Sequence, residues 1–257
     1  FKYIKTNYDY MQYILLPLLV LSTITISITT FDYFNKIILS ADISGFSVFL
    51  NFLGVVYAII AAFVIFDAGG RFGGINEELS KEFIALRNMF SMIKLLNDKR
   101  LAEFSKEKIK DYCLALKQKL YVKDSKMKKE VSKKFRAMFL ILGKIKPKNE
   151  MEKILAGHTV DALRASAQSR SMRLGLIESE TSKLELFLIT FLSLSLVFGF
   201  FLVRLSDALL FTIFMAIIST AVSSILLIIF DLNSPFKGFW NVSSEPIDNT
   251  LGFVEEN

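Results

Sequence analysis

The side chains that most often carry enzyme chemistry are scarce in this chain. Its one histidine, His158, and its one cysteine, Cys113, stand forty-five residues apart. No CxxC or HxxxH spacing accompanies them, so they cannot assemble a tetrahedral zinc site. A single cysteine also excludes an intrachain disulfide and hence a small secreted disulfide scaffold. Neither a phosphate-binding GxxxxGK loop nor a GxSxG nucleophile elbow occurs. His158 reads as a plain helix-face residue. No enzyme activity, cofactor or metal is expected, and a membrane-embedded hydrolase would need paired catalytic groups that the sequence lacks.

A different spacing is more informative. Ser44, Ser47, Asn51, Gly54 and Ala58 recur at three- and four-residue steps inside an uncharged run, while Phe46, Val48, Phe49, Leu50, Phe52 and Leu53 fill the other faces. On a helix this makes one small or polar stripe. It permits two kinds of chemistry. Small residues let helices approach closely, with Asn51 hydrogen-bonding across the contact. Alternatively, several copies of the stripe surround an axis and line a watery path for ions.

Such a helix needs a membrane around it. The chain has 257 residues, 53% of them hydrophobic and 22% charged, whereas a soluble domain is about 45–50% apolar. Uncharged runs of 22, 24, 18 and 23 residues separate Asp9 from Asp32, Asp42 from Asp67, Glu185 from Arg204 and Asp207 from Asp231. Each approaches or exceeds the ~20 residues that cross a bilayer core about 30 Å thick. Four spans are therefore expected, at about 10–31, 43–66, 185–203 and 208–230. The first ends in Thr29-Thr30-Phe31 without an Ala-x-Ala cleavage site and reads as an uncleaved span. The absent initiator Met predicts a few preceding residues. Pro17 and the Ser/Thr ladder from Ser22 to Thr30 suit a kinked helix whose hydroxyls bond their own carbonyls.

Charge sets the orientation. Asp67 to Lys183 holds 26 basic and 15 acidic residues, and the rest of the chain holds 5 and 10. The positive-inside bias places this central segment and both termini in the cytoplasm. Its lysines are interleaved with acids and form no aromatic-studded stripe, so nucleic acid is not an expected partner, although membrane lipid is. If they face a lumen, these charges concentrate anions, whereas Asp42 and Asp67 at a pore mouth would favour cations.

Within the central segment Leu79, Phe83, Leu86 and Phe90 recur at helical spacing, and so do Ile109, Tyr112, Leu116 and Leu120 from a start at Ser105. A third helix, capped by Asp124-Ser125, buries Phe135, Met138, Phe139 and Leu142 and ends at Gly143 and Pro147. A fourth begins near Asn149, carries Ile154, Leu155, Val160, Leu163, Ala167, Leu174 and Ile177, and runs unbroken into the third span. Gly69, Gly70, Gly73 and Gly74, at the inner end of span two, allow either close helix packing or a gating hinge.

The last span runs into Asp231-Leu232-Asn233-Ser234-Pro235-Phe236-Lys237-Gly238, followed by Ser244-Glu245-Pro246-Ile247-Asp248. This resembles the acidic-x-Pro-Phe-Gly element of bestrophin channels and the Leu-Pro-Leu-Asp-like stretch after it. Phe66 to Phe72, with Arg71 among the glycines, and Asn76 to Asn88 are similar to the bestrophin second helix as it leaves the membrane. Over nearly its whole length the chain resembles the bacterial bestrophin-like domain membrane family. That likeness includes a Glu-x-x-x-Leu helix (Glu82, Leu86), a tyrosine on the middle helix (Tyr112) and an Arg-x-x-Arg-Leu element (Arg170, Arg173, Leu174).

The resemblance implies an all-α membrane protein with four transmembrane helices and a cytoplasmic helical domain inserted between spans two and three. The expected divisions are a transmembrane pair at 1–67, a basic helical domain at 68–183, a second pair at 184–231 and a tail at 232–257. It further implies a homopentameric ion channel of the bacterial inner membrane, passing monovalent anions in preference to cations. Ser47, Asn51, Val55 and Ala58 would line its pore. Arg71, Asp231, Pro235, Phe236 and Gly238 would secure the inner interface or tail, with Asp231 either capping the segment after span four or pairing with Arg71. Two departures matter. Bestrophin necks are ringed by bulky apolar residues, where this chain has Ser47, Asn51 and Val55 if the glycines align at Gly54. The acidic run that binds calcium in animal bestrophins is missing, because Glu245, Asp248, Glu255 and Glu256 are too dispersed. The competing expectation is a non-conducting four-span scaffold or signalling protein whose helical domain recruits a partner.

Overall fold

The computed structural model describes Leu21, Thr25 and residues 43–119, 125–179, 181–202, 208–234, 236 and 239–256. The rest of the expected first span, the 204–207 hairpin, Pro235 and Gly238 lie outside these residues. All regular structure among the described residues is helical: α1 Ile43–Leu95, α2 Lys99–Lys119, α3 Ser125–Ala137, α4 Phe139–Leu142, α5 Glu150–Glu178, α6 Lys183–Phe201, α7 Ala208–Leu232 and α8 Glu245–Glu256. Three of them, α1, α6 and α7, carry segments long and apolar enough to cross a membrane. The chain divides into two compact units, Phe1–Gly70 with Glu180–Trp240 and Arg71–Ser179 with Asn241–Asn257.

In the first unit, apolar side chains at three- and four-residue steps close a seam between three helices. Tyr57, Ala61 and Val64 of α1 are buried with Ile189 and Leu196 of α6 and Val222 and Ile229 of α7. Small residues bring the backbones together, since a Cβ placed on Gly199 would overlap Leu50 Cδ2. Several hydroxyls within these helices bond their own carbonyls, as at Ser193 to Ile189 (2.7 Å), Thr220 to Ala216 (2.6 Å) and Ser224 to Thr220 (2.8 Å). In the first run, Thr25 does the same to Leu21 at 2.8 Å. Without water, this is how a polar group is satisfied at no cost to the ladder of the next helix.

In the second unit, the expected stripe on the latter part of α1 is buried completely: Leu79, Phe83 and Leu86 have no exposed surface. Tyr112 of α2 stacks on Phe83, ring centroids 6.0 Å apart, and meets Phe135 of α3 edge-on at 5.3 Å. These contacts tie three helices into one aromatic core.

Three local expectations are corrected. α2 starts at Lys99 rather than Ser105, because Asp98 Oδ1 accepts from the backbone N–H of Arg100 (3.0 Å) and Leu101 (3.1 Å). The helix containing Phe135 breaks after Ala137, and the turn at Met138 rotates the face that follows. Ile141 is then buried and Phe139 is 46% exposed. Finally, α5 does not run on into α6. It ends at Glu178, and Ser182 starts a new helix with a capping box: its Oγ accepts from Glu185 N (3.1 Å) and Glu185 Oε2 accepts from Ser182 N (3.2 Å).

Candidate functional site

The membrane-crossing part of α1 presents distinct faces. Leu50, Tyr57, Ala61, Val64 and Ala68 point into the first unit and are buried. Ser47, Asn51, Val55 and Ala58 lie along an adjacent face and are exposed. Val48, Phe52, Ile59 and Phe63, at 65–69% exposure, form a bulkier exposed stripe beyond them. Gly54 sits between the buried and polar faces, and a Cβ there would be 4.0 Å from Leu196 Cδ1. The polar stripe is thus not consumed by packing against α6 or α7. An asparagine on an apolar helix is costly against lipid, so this face calls for water or another protein surface.

At the C-terminal end of α7, Asp231 is buried and gathers the chain that follows it. Its Oδ1 accepts from Phe239 N at 2.9 Å and its Oδ2 from Trp240 N at 2.8 Å. Beside it, Asn233 Oδ1 accepts from Thr181 N at 3.0 Å. The carboxylate thus ties the backbone at Phe239 and Trp240 to the end of α7. A carboxylate is well suited, since two backbone donors satisfy its two oxygens.

The second unit contains a buried ionic node. Glu82, Tyr112 and Arg173 come from three helices, and none is more than 3% exposed. Arg173 Nε and Nη2 lie 3.0 and 2.8 Å from Glu82 Oε2, and the Tyr112 hydroxyl donates to Oε1. Arg170, one helical turn before Arg173, donates to Ser132 Oγ at 2.9 Å and places its guanidinium 4.8 Å from the Phe135 ring. Burial and the neighbouring Glu82 push the Tyr112 hydroxyl well above its ordinary range. Burial alone would lower the Arg173 guanidinium, but Glu82 and Tyr112 outweigh it and hold the arginine charged.

With this geometry in view, comparison with known proteins identifies the family. The bestrophin-like domain model matches residues 42–247. The chain belongs to the bestrophin-like domain family. Solved structures share its fold. A bacterial Bestrophin homologue from Klebsiella pneumoniae with one leucine changed to threonine matches with a TM-score of 0.73 at 13% identity, covering 94% of this chain and 96% of that one. The same homologue with one tyrosine changed to alanine gives 0.74 at 13%, covering 95% and 97%. Its zinc-phased structure gives 0.71 at 14%, covering 94% of each. None of the curated proteins matches this sequence.

The bestrophin-like chain treats its four clustered glycines unequally. A Cβ on Gly74 would approach Leu176 Cδ1 to 2.9 Å, so close packing explains that position. No neighbouring side chain lies within 4 Å of a Cβ at Gly69, Gly70 or Gly73, and α1 passes through all four as one helix. Arg71 donates through Nη1 to Ser179 O at 2.6 Å. Phe236 is half-buried in the turn after α7.

The tail ends as α8 seated on α2. Ile247, Thr250 and Val254 are buried, and Phe253 meets Phe90 edge-on. Glu255 Oε1 takes Lys110 Nζ at 2.6 Å, Glu255 O takes Lys106 Nζ at 3.1 Å, and Asp248 pairs with Lys117. Two of the dispersed tail acids are thus bound to lysines, and no cluster of three or more potential metal ligands occurs among the described residues.

Glu82 is the residue whose role residue-by-residue reading missed. The signal was present: it occupies the same helical face as Leu79 and Leu86, where an unpaired carboxylate would be costly. The family likeness picked out Glu82, Tyr112, Arg170 and Arg173 as separate motifs, and folding brings them into one cluster.

Proposed function

We propose that this bestrophin-like chain is one subunit of a homopentameric ion channel, with α1 of each copy lining a central pore through Ser47, Asn51, Val55 and Ala58. The observation that carries this reading is the exposure of all four on a face that α6 and α7 leave uncovered. A hydroxyl and an amide at that depth would wet the pore more readily than aromatic rings and would not gate it by dewetting. Family membership and the shared fold support a bestrophin-type channel.

The excess of basic over acidic residues between Asp67 and Lys183 supports passage of monovalent anions over cations. The positive-inside bias supports an inner-membrane orientation with that segment and both termini in the cytoplasm. Gly69, Gly70 and Gly73, with no side chain packed where a Cβ would sit, are the proposed bending point of α1. Pro235, Phe236 and Gly238 are proposed to anchor the tail against a neighbouring copy.

Native mass spectrometry of the detergent-solubilised protein tests the assembly. Five copies are expected. A monomer would overturn the pore and favour a non-conducting scaffold whose second unit binds a partner.

A further inference from the structure

The turn between α1 and α2 and the loop before α5 enclose a cleft of about 430 Å³ in the second unit, within the ~300–1,000 Å³ typical of small-molecule sites. Four cationic side chains line it: Lys99 and Arg100 from one side, Lys146 and Lys148 from the other. Two carboxylates also line it, and each accepts hydrogen bonds from its own turn. Asp98 caps α2 through the N–H groups of Arg100 and Leu101. Glu152 accepts from Lys148 N at 2.6 Å and from Asn149 Nδ2 at 3.2 Å, holding the start of α5. Among the described residues, none of the four cationic side chains makes an ion pair or a hydrogen bond.

Like charges gathered around a concave surface repel one another, and concave walls focus the field they produce. The protein elsewhere pairs lysines of this unit, as at Lys110–Glu255 and Lys134–Asp111. Here the local acids are used for capping and the cations remain for a ligand. Arginine offers phosphate a two-pronged donor, and lysine a mobile point charge. The lining contains no aromatic ring on which a nucleobase could stack.

We propose that this cleft binds a small polyanion carrying two or more phosphate groups, such as pyrophosphate or a sugar bisphosphate, with Lys99, Arg100, Lys146 and Lys148 as its ligands. The proposal does not depend on the pore reading, because binding requires no conduction.

Titration calorimetry of the full-length detergent-solubilised protein with pyrophosphate, at fixed salt, tests it. One site per chain is expected. The double variant Lys146→Gln/Lys148→Gln and the double variant Lys99→Gln/Arg100→Gln should each weaken binding by about tenfold or more, since each removes two charge-assisted contacts. Lys129→Gln/Lys133→Gln removes the same charge from exposed positions of α3 and should keep the affinity. All six positions are exposed, so these variants leave the core intact. No binding by the unaltered protein, or equal weakening in all three variants, would overturn the proposal.

Discussion

Arg173 and Glu82 are 91 residues apart in sequence and form a buried ion pair, with Arg173 Nη2 2.8 Å and Nε 3.0 Å from Glu82 Oε2. The pair joins α5 to α1, and Tyr112 joins α2 to the same carboxylate. Removing one partner leaves the other charge stranded in the core, which costs about 3–5 kcal/mol. Arg173→Met and Glu82→Leu are each expected to lower the Tm markedly and expose the second unit to protease. The double variant should recover part of the loss, because it removes both charges. Additive losses, or two neutral single variants, would contradict the assignment.

Much of this architecture is legible in the sequence. The uncharged runs mark α1, α6 and α7, and the stripe from Leu79 to Phe90 gives the buried face of α1 because helical periodicity survives burial. Legibility ends where short-range polar bonds decide. Asp98 sets the start of α2, and Ser182 with Glu185 separates α6 from α5. Each is a pair of short-range side-chain bonds inside otherwise helix-compatible sequence. The node around Glu82 is non-local, so spacing along the chain contains no record of the partner. The polar stripe is the opposite case: Ser47, Asn51 and Ala58 are visible at once by spacing, but what they face is not set by α6 or α7, which leave them exposed.

Cys113 is buried without exposed surface. Burial first, then the nearby Glu82 charge, pushes its thiol up to about 12. Since the thiolate is the nucleophile, iodoacetamide at pH 8 is expected to leave it unmodified in the folded protein and to alkylate it fully in denaturant. Rapid labelling of the native protein, read by intact mass, would contradict this burial.

Asp231 holds the backbone of Phe239 and Trp240, and Trp240 is the one tryptophan in the chain. Asp231→Ala removes both acceptors, at roughly 1–3 kcal/mol for each charged hydrogen bond. The emission of Trp240 should change in wavelength or intensity while overall helicity remains. An unchanged emission spectrum would mean that the carboxylate does not organise this turn.

The docking of α8 should depend on pH. A hydrogen bond from Lys110, and then its charge, hold the Glu255 carboxyl below its ordinary value of 4.5. A depressed folded-state value means that the contribution is present above the ordinary pKa and is lost as pH falls through the folded one. The protection of α8 amides, taken relative to their intrinsic exchange rate at each pH, is therefore expected to be steady above pH 4.5 and to fall on further acidification. Glu255→Gln should flatten that fall. An identical acid response in the variant would assign the loosening to other groups.

The central claim is that Asn51 from each copy faces a shared aqueous lumen. A cysteine at that position can be tested against a silent background, because Cys113 is buried. Asn51→Cys protein in liposomes, treated with a charged, water-soluble methanethiosulfonate, should lose most of its chloride flux, while the parent protein treated the same way keeps its own. Complete modification at position 51 with unaltered flux, or a cysteine there that the reagent never reaches, would contradict the pore.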